Sequence, residues 1–135
     1  MSDKSQALAI ALKSALTTAL GSTPVYDAVP PSVDHSAAFC YVTLNDIQAL
    51  DWSTKTFDGQ DFAVNIHVWS SYRGNKEVQE KFSTIHAALH KTPSALTVSG
   101  ATVVECLYEA SQIFLDPDGL TRHGVQRFRV LVQHT

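Results

Sequence analysis

Apolar residues recur at three- and four-residue spacing from Ser5 to Leu20, where Leu8, Leu12, Ala15, Leu16 and Ala19 share one face of a predicted helix. Asp3 or Ser5 can cap its start, and Gly21 suits the left-handed residue that often ends a helix. Ala9, Ile10 and Ala11 make the other face unusually apolar, which hints at a partner surface. Val25 to Val29 predicts a short strand ended by Pro30-Pro31, and a polar loop follows through Asp34, His35 and Ser36. Phe39 to Leu44, rich in aromatic and β-branched residues, predicts a second strand. Asn45 to Asp61 predicts a long, partly extended hairpin or loop containing Trp52 and Phe57. Phe62, Val64, Ile66 and Val68 then alternate with Ala63, Asn65, His67 and Trp69, the pattern of an antiparallel strand covered on one side. A second helix is expected from about Asn75 to Lys91, with Val78, Phe82, Ile85 and Leu89 as its buried stripe and Lys76, Glu77, Glu80 and Lys81 opposite.

The last third predicts a hairpin. Ala101 to Leu115 and Leu120 to Gln133 flank Asp116-Pro117-Asp118-Gly119, whose residues suit a type I turn followed by a left-handed glycine. Pairing Asp116 with Leu120 sets Val104, Cys106 and Tyr108 opposite Val132, Val130 and Phe128. The same register sets Glu109 opposite Arg127 and Leu107 opposite Arg129, so one face is apolar and the other carries a charge pair. The expected fold class is α+β: an antiparallel sheet of about four main strands, two helices packed on one face, and a long C-terminal hairpin. At 135 residues the chain fits one domain spanning 1–135.

Composition narrows the setting. The net charge of −3 argues against a protein that coats nucleic acid by counterion release. It is unevenly placed, at −4 over residues 1–70 and +1 over residues 71–135, and Asn45 to Asp61 alone carries −3. The N-terminus does not read as a signal peptide, and no run approaches the roughly 20 apolar residues that span a bilayer. Cytoplasmic synthesis is therefore expected. Cys40 and Cys106 fall within strand patterns and read as free, buried thiols rather than a disulfide or a redox pair.

Candidate chemistry is sparse. No Gly-x-Ser-x-Gly elbow surrounds any serine, and the six glycines form no phosphate-cradling cluster. His86 and His90 stand at i and i+4, a zinc-clamping spacing, with His67 or His123 as the candidate third ligand, but Ala87 replaces the glutamate of a metalloprotease. A polar helix flank is the simpler reading. Arg122, Arg127 and Arg129 with His123 and Tyr108 resemble a nucleic-acid face, yet Glu105 and Glu109 on the neighbouring strand would neutralise it. No catalytic residue, cofactor or metal is assigned.

The run from Asp116 to Arg129, DPDGLTRHGVQRFR, resembles the C-terminal hairpin of the tail-completion, or tail-terminator, proteins of long-tailed phages and of phage-like gene transfer agent particles. Val25-Tyr26-Asp27 with Val29-Pro30, Tyr41 to Leu44, Asp51 to Lys55 leading to Asp58-Gly59, and Ile66 to Ser70 followed by Gly74 and Lys76 match in order. The resemblance spans about Leu8 to Val132; Cys40 departs from it, standing where the pattern has proline. It implies a structural virion protein, not an enzyme, at the head-proximal end of the tail. There it would form a six-membered ring that ends tube polymerisation and joins tail to head. Its partners would be further copies of itself, the tail tube protein and the head-completion (stopper) protein, with DNA passing through the lumen and no membrane involved. A head-side connector of the same particle is the alternative role, and a small metal-binding enzyme the remoter one. A closed ring needs two different patches of one subunit to meet. Leu107, Glu109, Arg127, Arg129, Trp52 and Phe57 are the expected interface residues, and Asp46, Asp51, Asp58 and Asp61 the expected lumen-facing acids.

Overall fold

A computed structural model describes residues 3–27 and 39–135. Helix α1 covers Ser5–Leu20, as its periodicity predicts, and ends at Gly21 with φ +62°. Asp3 accepts hydrogen bonds from the Ser5 amide and hydroxyl at 3.1 and 2.8 Å, so the acid holds the chain at the helix entrance. Strand β1 is Val25–Tyr26 and β2 is Cys40–Asp51; the expected continuation of β1 through Ala28 and Val29, Pro30-Pro31 and the loop at Asp34 to Ser36 lie outside the described residues. Strand β3 is Gly59–Ser70, α2 is Lys76–Leu89, a short 3-10 turn spans Pro93–Ala95, and β4 (Ala101–Leu115) and β5 (Arg122–His134) form the C-terminal hairpin.

The five strands form one sheet in the order β1-β2-β3-β5-β4. All neighbours are antiparallel except β1 and β2, so the sheet is mixed rather than purely antiparallel. The core lies on one side. Phe62, Val64, Ile66 and Val68 of β3 join Phe128, Val130 and Val132 of β5 and Cys106 of β4 beneath Leu8, Leu12 and Leu16 of α1 and Val78, Phe82, Ile85 and Leu89 of α2. Ala11, expected on the outer face of α1, is instead 6% exposed, because α1 packs against both the sheet and α2 and its buried arc is correspondingly wide. Gly124 lets α2 come close: a Cβ there would stand 2.5 Å from Val78 and 2.6 Å from Phe82.

Asn45 to Asp61 takes the hairpin form of its expectation: Asn45 to Asp51 belongs to β2, which continues past a bulge between Thr43 and Asp46 and pairs with β3 down to Asp51 opposite Gln60. The C-terminal hairpin differs from expectation in register. In the C-terminal hairpin Cys106, Leu107 and Tyr108 oppose Val130, Arg129 and Phe128 as expected. Bulges on either side of that stretch shift the register by one residue in each direction, so Val103 rather than Val104 opposes Val132, and Ala110 rather than Glu109 opposes Arg127. The turn also closes later, with the Asp116 amide donating to the Thr121 carbonyl at 2.8 Å. Asp118 causes this: its carboxylate accepts the amides of Leu120 and Thr121 at 2.8 Å each and the Thr121 hydroxyl at 2.7 Å, holding Leu120 out of the ladder.

Candidate functional site

The sheet face away from the helices carries the polar chemistry, because strand alternation turns Asp61, Ala63, Asn65, His67 and Trp69 of β3 toward it. Toward the Trp69 end, four strands contribute to one cluster. Asp46 Oδ2 on β2 lies 2.7 Å from His67 Nε2, and His67 Nδ1 lies 2.8 Å from His123 Nε2 on β5. His123 stacks on Trp69 with ring centroids 3.6 Å apart, Phe114 of β4 meets His123 edge-on at 4.6 Å, and Trp69 donates to the Thr43 hydroxyl at 3.2 Å. With His67 neutral, Nε2 donates to Asp46 and Nδ1 accepts from His123; with His67 protonated, both its nitrogens donate. A proton on both rings would oppose two N–H groups at 2.8 Å. Burial first, and then His67, accordingly hold the His123 pKa below the usual imidazole value. In sequence the two histidines stood out as candidate metal ligands, and His123 also beside the arginines of a nucleic-acid-like face. Their alignment across the sheet depends on the β3–β5 register, which sets Trp69 opposite His123.

The other end of this face is ionic. Arg127 Nε donates to Glu109 at 2.9 Å despite the bulge, and Arg129 Nε donates to the two carboxylate oxygens of Asp61 at 2.9 and 3.0 Å, with a further contact from its terminal nitrogen. These arginines and acids share a shallow depression with Gln48, Leu50 and Ala63, and half-buried Leu107 lies across from Arg129. The interface and lumen groups expected from sequence are thus interleaved: Arg129 of one is bonded to Asp61 of the other. Asp46 shares the open face, bonded to His67. Asp51 and Asp58 instead flank the turn between β2 and β3, near Asp3 and His134. In that turn Trp52 and Phe57 pack edge-to-face at 5.5 Å, and the Thr54 amide donates to the Phe57 carbonyl at 2.8 Å. Gly59 is required there, since a Cβ would meet the Trp52 ring at 2.9 Å. The four aspartates therefore do not form one surface: Asp46 and Asp61 lie toward opposite ends of the open face, and Asp51 and Asp58 lie at the turn.

His86 lies on α2 and His90 caps its C-terminus, on the core side of the sheet, with ring centroids 4.6 Å apart. His67 and His123 face the other side, which separates the candidate third ligands from the first two. Among the described residues, no group of three or more His, Cys, Asp or Glu side chains could hold a metal ion. His90 Nδ1 instead accepts the Tyr108 amide at 3.0 Å, and Lys91, at φ +55°, donates its amide to the Cys106 carbonyl at 2.7 Å. Sequence gave no sign of this contact, which caps the middle of edge strand β4 with the end of α2. Cys40 and Cys106 are free thiols on strands separated by two others, and burial pushes both up to about 12. No described helix is long and apolar enough to cross a membrane.

Comparison with known proteins matches this fold and chain. A chain solved in the virion of a native gene transfer agent (GTA) particle superposes with a TM-score of 0.82, covering 98% of this chain and 99% of that one at 22% identity, which establishes likeness of fold. Tail completion protein gp17 of Bacillus phage SPP1 is 29% identical over 94 residues, 70% of this chain and 68% of that protein. The family model described as tail completion protein gp17 matches residues 6–133, nearly the full chain, and the protein belongs to that family.

Proposed function

We propose that this chain forms a ring, six subunits around, on the head-proximal end of a tail tube, where it ends tube polymerisation and joins the tail to the head. The family match across residues 6–133 carries this reading. The role is structural: it involves no catalytic step and no cofactor, and its partners are further copies of the chain, the tail tube protein and the head-completion protein. The open sheet face lines the lumen in this arrangement. Its arginines are spent on acids of their own chain, Arg127 on Glu109 and Arg129 on Asp61, and Asp46 and Glu105 add further negative charge. Such a wall offers no unpaired Arg127 or Arg129 to grip phosphates, so DNA slides past it. Leu107, Glu109, Arg127 and Arg129, first expected at a subunit boundary, then face the channel, while Trp52 and Phe57 with Asp51 and Asp58 form a rim that meets a neighbour or the tube.

Electron microscopy of particles carrying a tagged copy of this chain tests the placement. Tag density as a ring between tube and head, resting on the tube, supports it. Density on the portal side of the joint would make the chain a head-side connector instead.

A further inference from the structure

Two surface features remain unaccounted for by the core or the open face. The first is the tip of the β4–β5 hairpin, where Leu120 is 76% and Leu115 47% exposed, flanked by the carboxylate of Asp116. Arg122 bonds the Arg73 carbonyl, so the Arg73 loop lies directly behind this tip. The second is a groove along the outer face of α1, lined by Ala9, Ile10 and Lys13 and reaching Asp27 just past β1; Ile10 is 64% exposed. Among the described residues, Lys13, Asp27, Arg73 and Asp116 form no ion pair within the chain.

We infer that the hairpin tip of one copy seats in the α1 groove of the next, with Leu120 against Ile10 and Asp116 beside Lys13. The occupant is a second copy because the charges are complementary: the tip carries Asp116 with the Arg73 loop behind it, and the groove carries Lys13 and Asp27. The two patches differ and lie on different elements, so the contact is head-to-tail, the kind that closes into a ring. Leu115 and Leu120 meeting Ala9 and Ile10, in a groove otherwise lined by polar side chains such as Ser14 and Thr17, supply burial, and the ion pairs fix the direction. This inference rests on the ring proposed above and identifies the surfaces that build it.

Disulfide trapping tests it. Ile10 and Leu120 are exposed, so Ile10→Cys and Leu120→Cys leave the core intact. Oxidising an equal mixture of the two single variants should give a disulfide-linked heterodimer. Either variant alone should cross-link no more than the parent chain with its own two cysteines. Adding Lys13→Glu to the Ile10→Cys chain should lower the yield about fivefold, the upper range for one exposed pair. Asp116→Lys in the partner should restore it. No heterodimer in the mixture, or equal cross-linking of one variant with itself, overturns the contact. Negative-stain imaging of the same samples separates the two ideas. Rings without the mixed disulfide would refute this contact and leave the ring standing; disulfide-linked head-to-tail chains that never close would support the contact and count against the ring.

Discussion

Gly124 shows how one missing side chain positions an element. A Cβ there would intrude on Val78 and Phe82, the buried stripe by which α2 lies on β5. Gly124→Ala should cost about 1–3 kcal/mol, the usual penalty for overpacking a close-packed core, seen as a lower thermal midpoint. An unchanged midpoint would mean that α2 has room to withdraw. His123 gives a pH dependence of definite sign. Its folded pKa lies below the ordinary imidazole value, so as pH falls through that ordinary value the unfolded chain takes up a proton that the folded chain refuses. Stability is full above this range and drains away on acidification. The charged neighbours are His67, Asp116 and Asp46, and the two acids oppose the effect without reversing it. Thermal midpoints measured across mildly acidic pH should fall for the parent chain and fall less for His123→Gln; parallel curves would contradict the assignment.

At the level of elements, the sequence was most legible where one face of a strand is covered. β3 alternates cleanly because every second residue from Phe62 to Val68 is fully buried under the helices. The β2 stretch from Asp46 to Leu50 was legible only as hairpin or loop, because four of its five residues are exposed and Ile47 is only half-buried. With no face to cover, no alternation is required. The parallel pairing of β1 was equally hidden, since two residues cannot specify a partner 17 positions away. The aromatic and histidine cluster, likewise, depends on a register spanning β2, β3 and β5 that no local pattern encodes. The hairpin turn was read correctly in its glycine, which adopts φ +73°, but not in its length, which Asp118 sets by side-chain bonds. Asp118→Ala should speed amide exchange at Leu120 and Thr121 while leaving the central ladder near Cys106 protected. Loss of protection throughout β4 and β5 would show that the turn organises the whole hairpin.

For the whole molecule, the helices and the open sheet face divide the work. One side is sealed by an apolar core; the other presents ion pairs and bonded histidines, with its arginines matched by acids. If that face lines a DNA channel, its charge balance is functional. Replacing Asp46 and Asp61 with lysine should create a surface that retains double-stranded DNA at low salt and releases it steeply as salt rises, whereas the parent chain should not retain it. Equal retention by both would remove the argument for a non-gripping wall. The sparseness of candidate chemistry also acquires a reason, since a part that works by fitting between neighbours needs surfaces of the right shape and charge, and the two patches proposed on the hairpin tip and α1 are of that kind.

The central claim, that the chain ends tube growth and joins tail to head, is tested most directly by the distribution of tail lengths in particles assembled without it. The account predicts tubes of irregular, excessive length with no heads attached. Tails of uniform normal length joined to filled heads would contradict it.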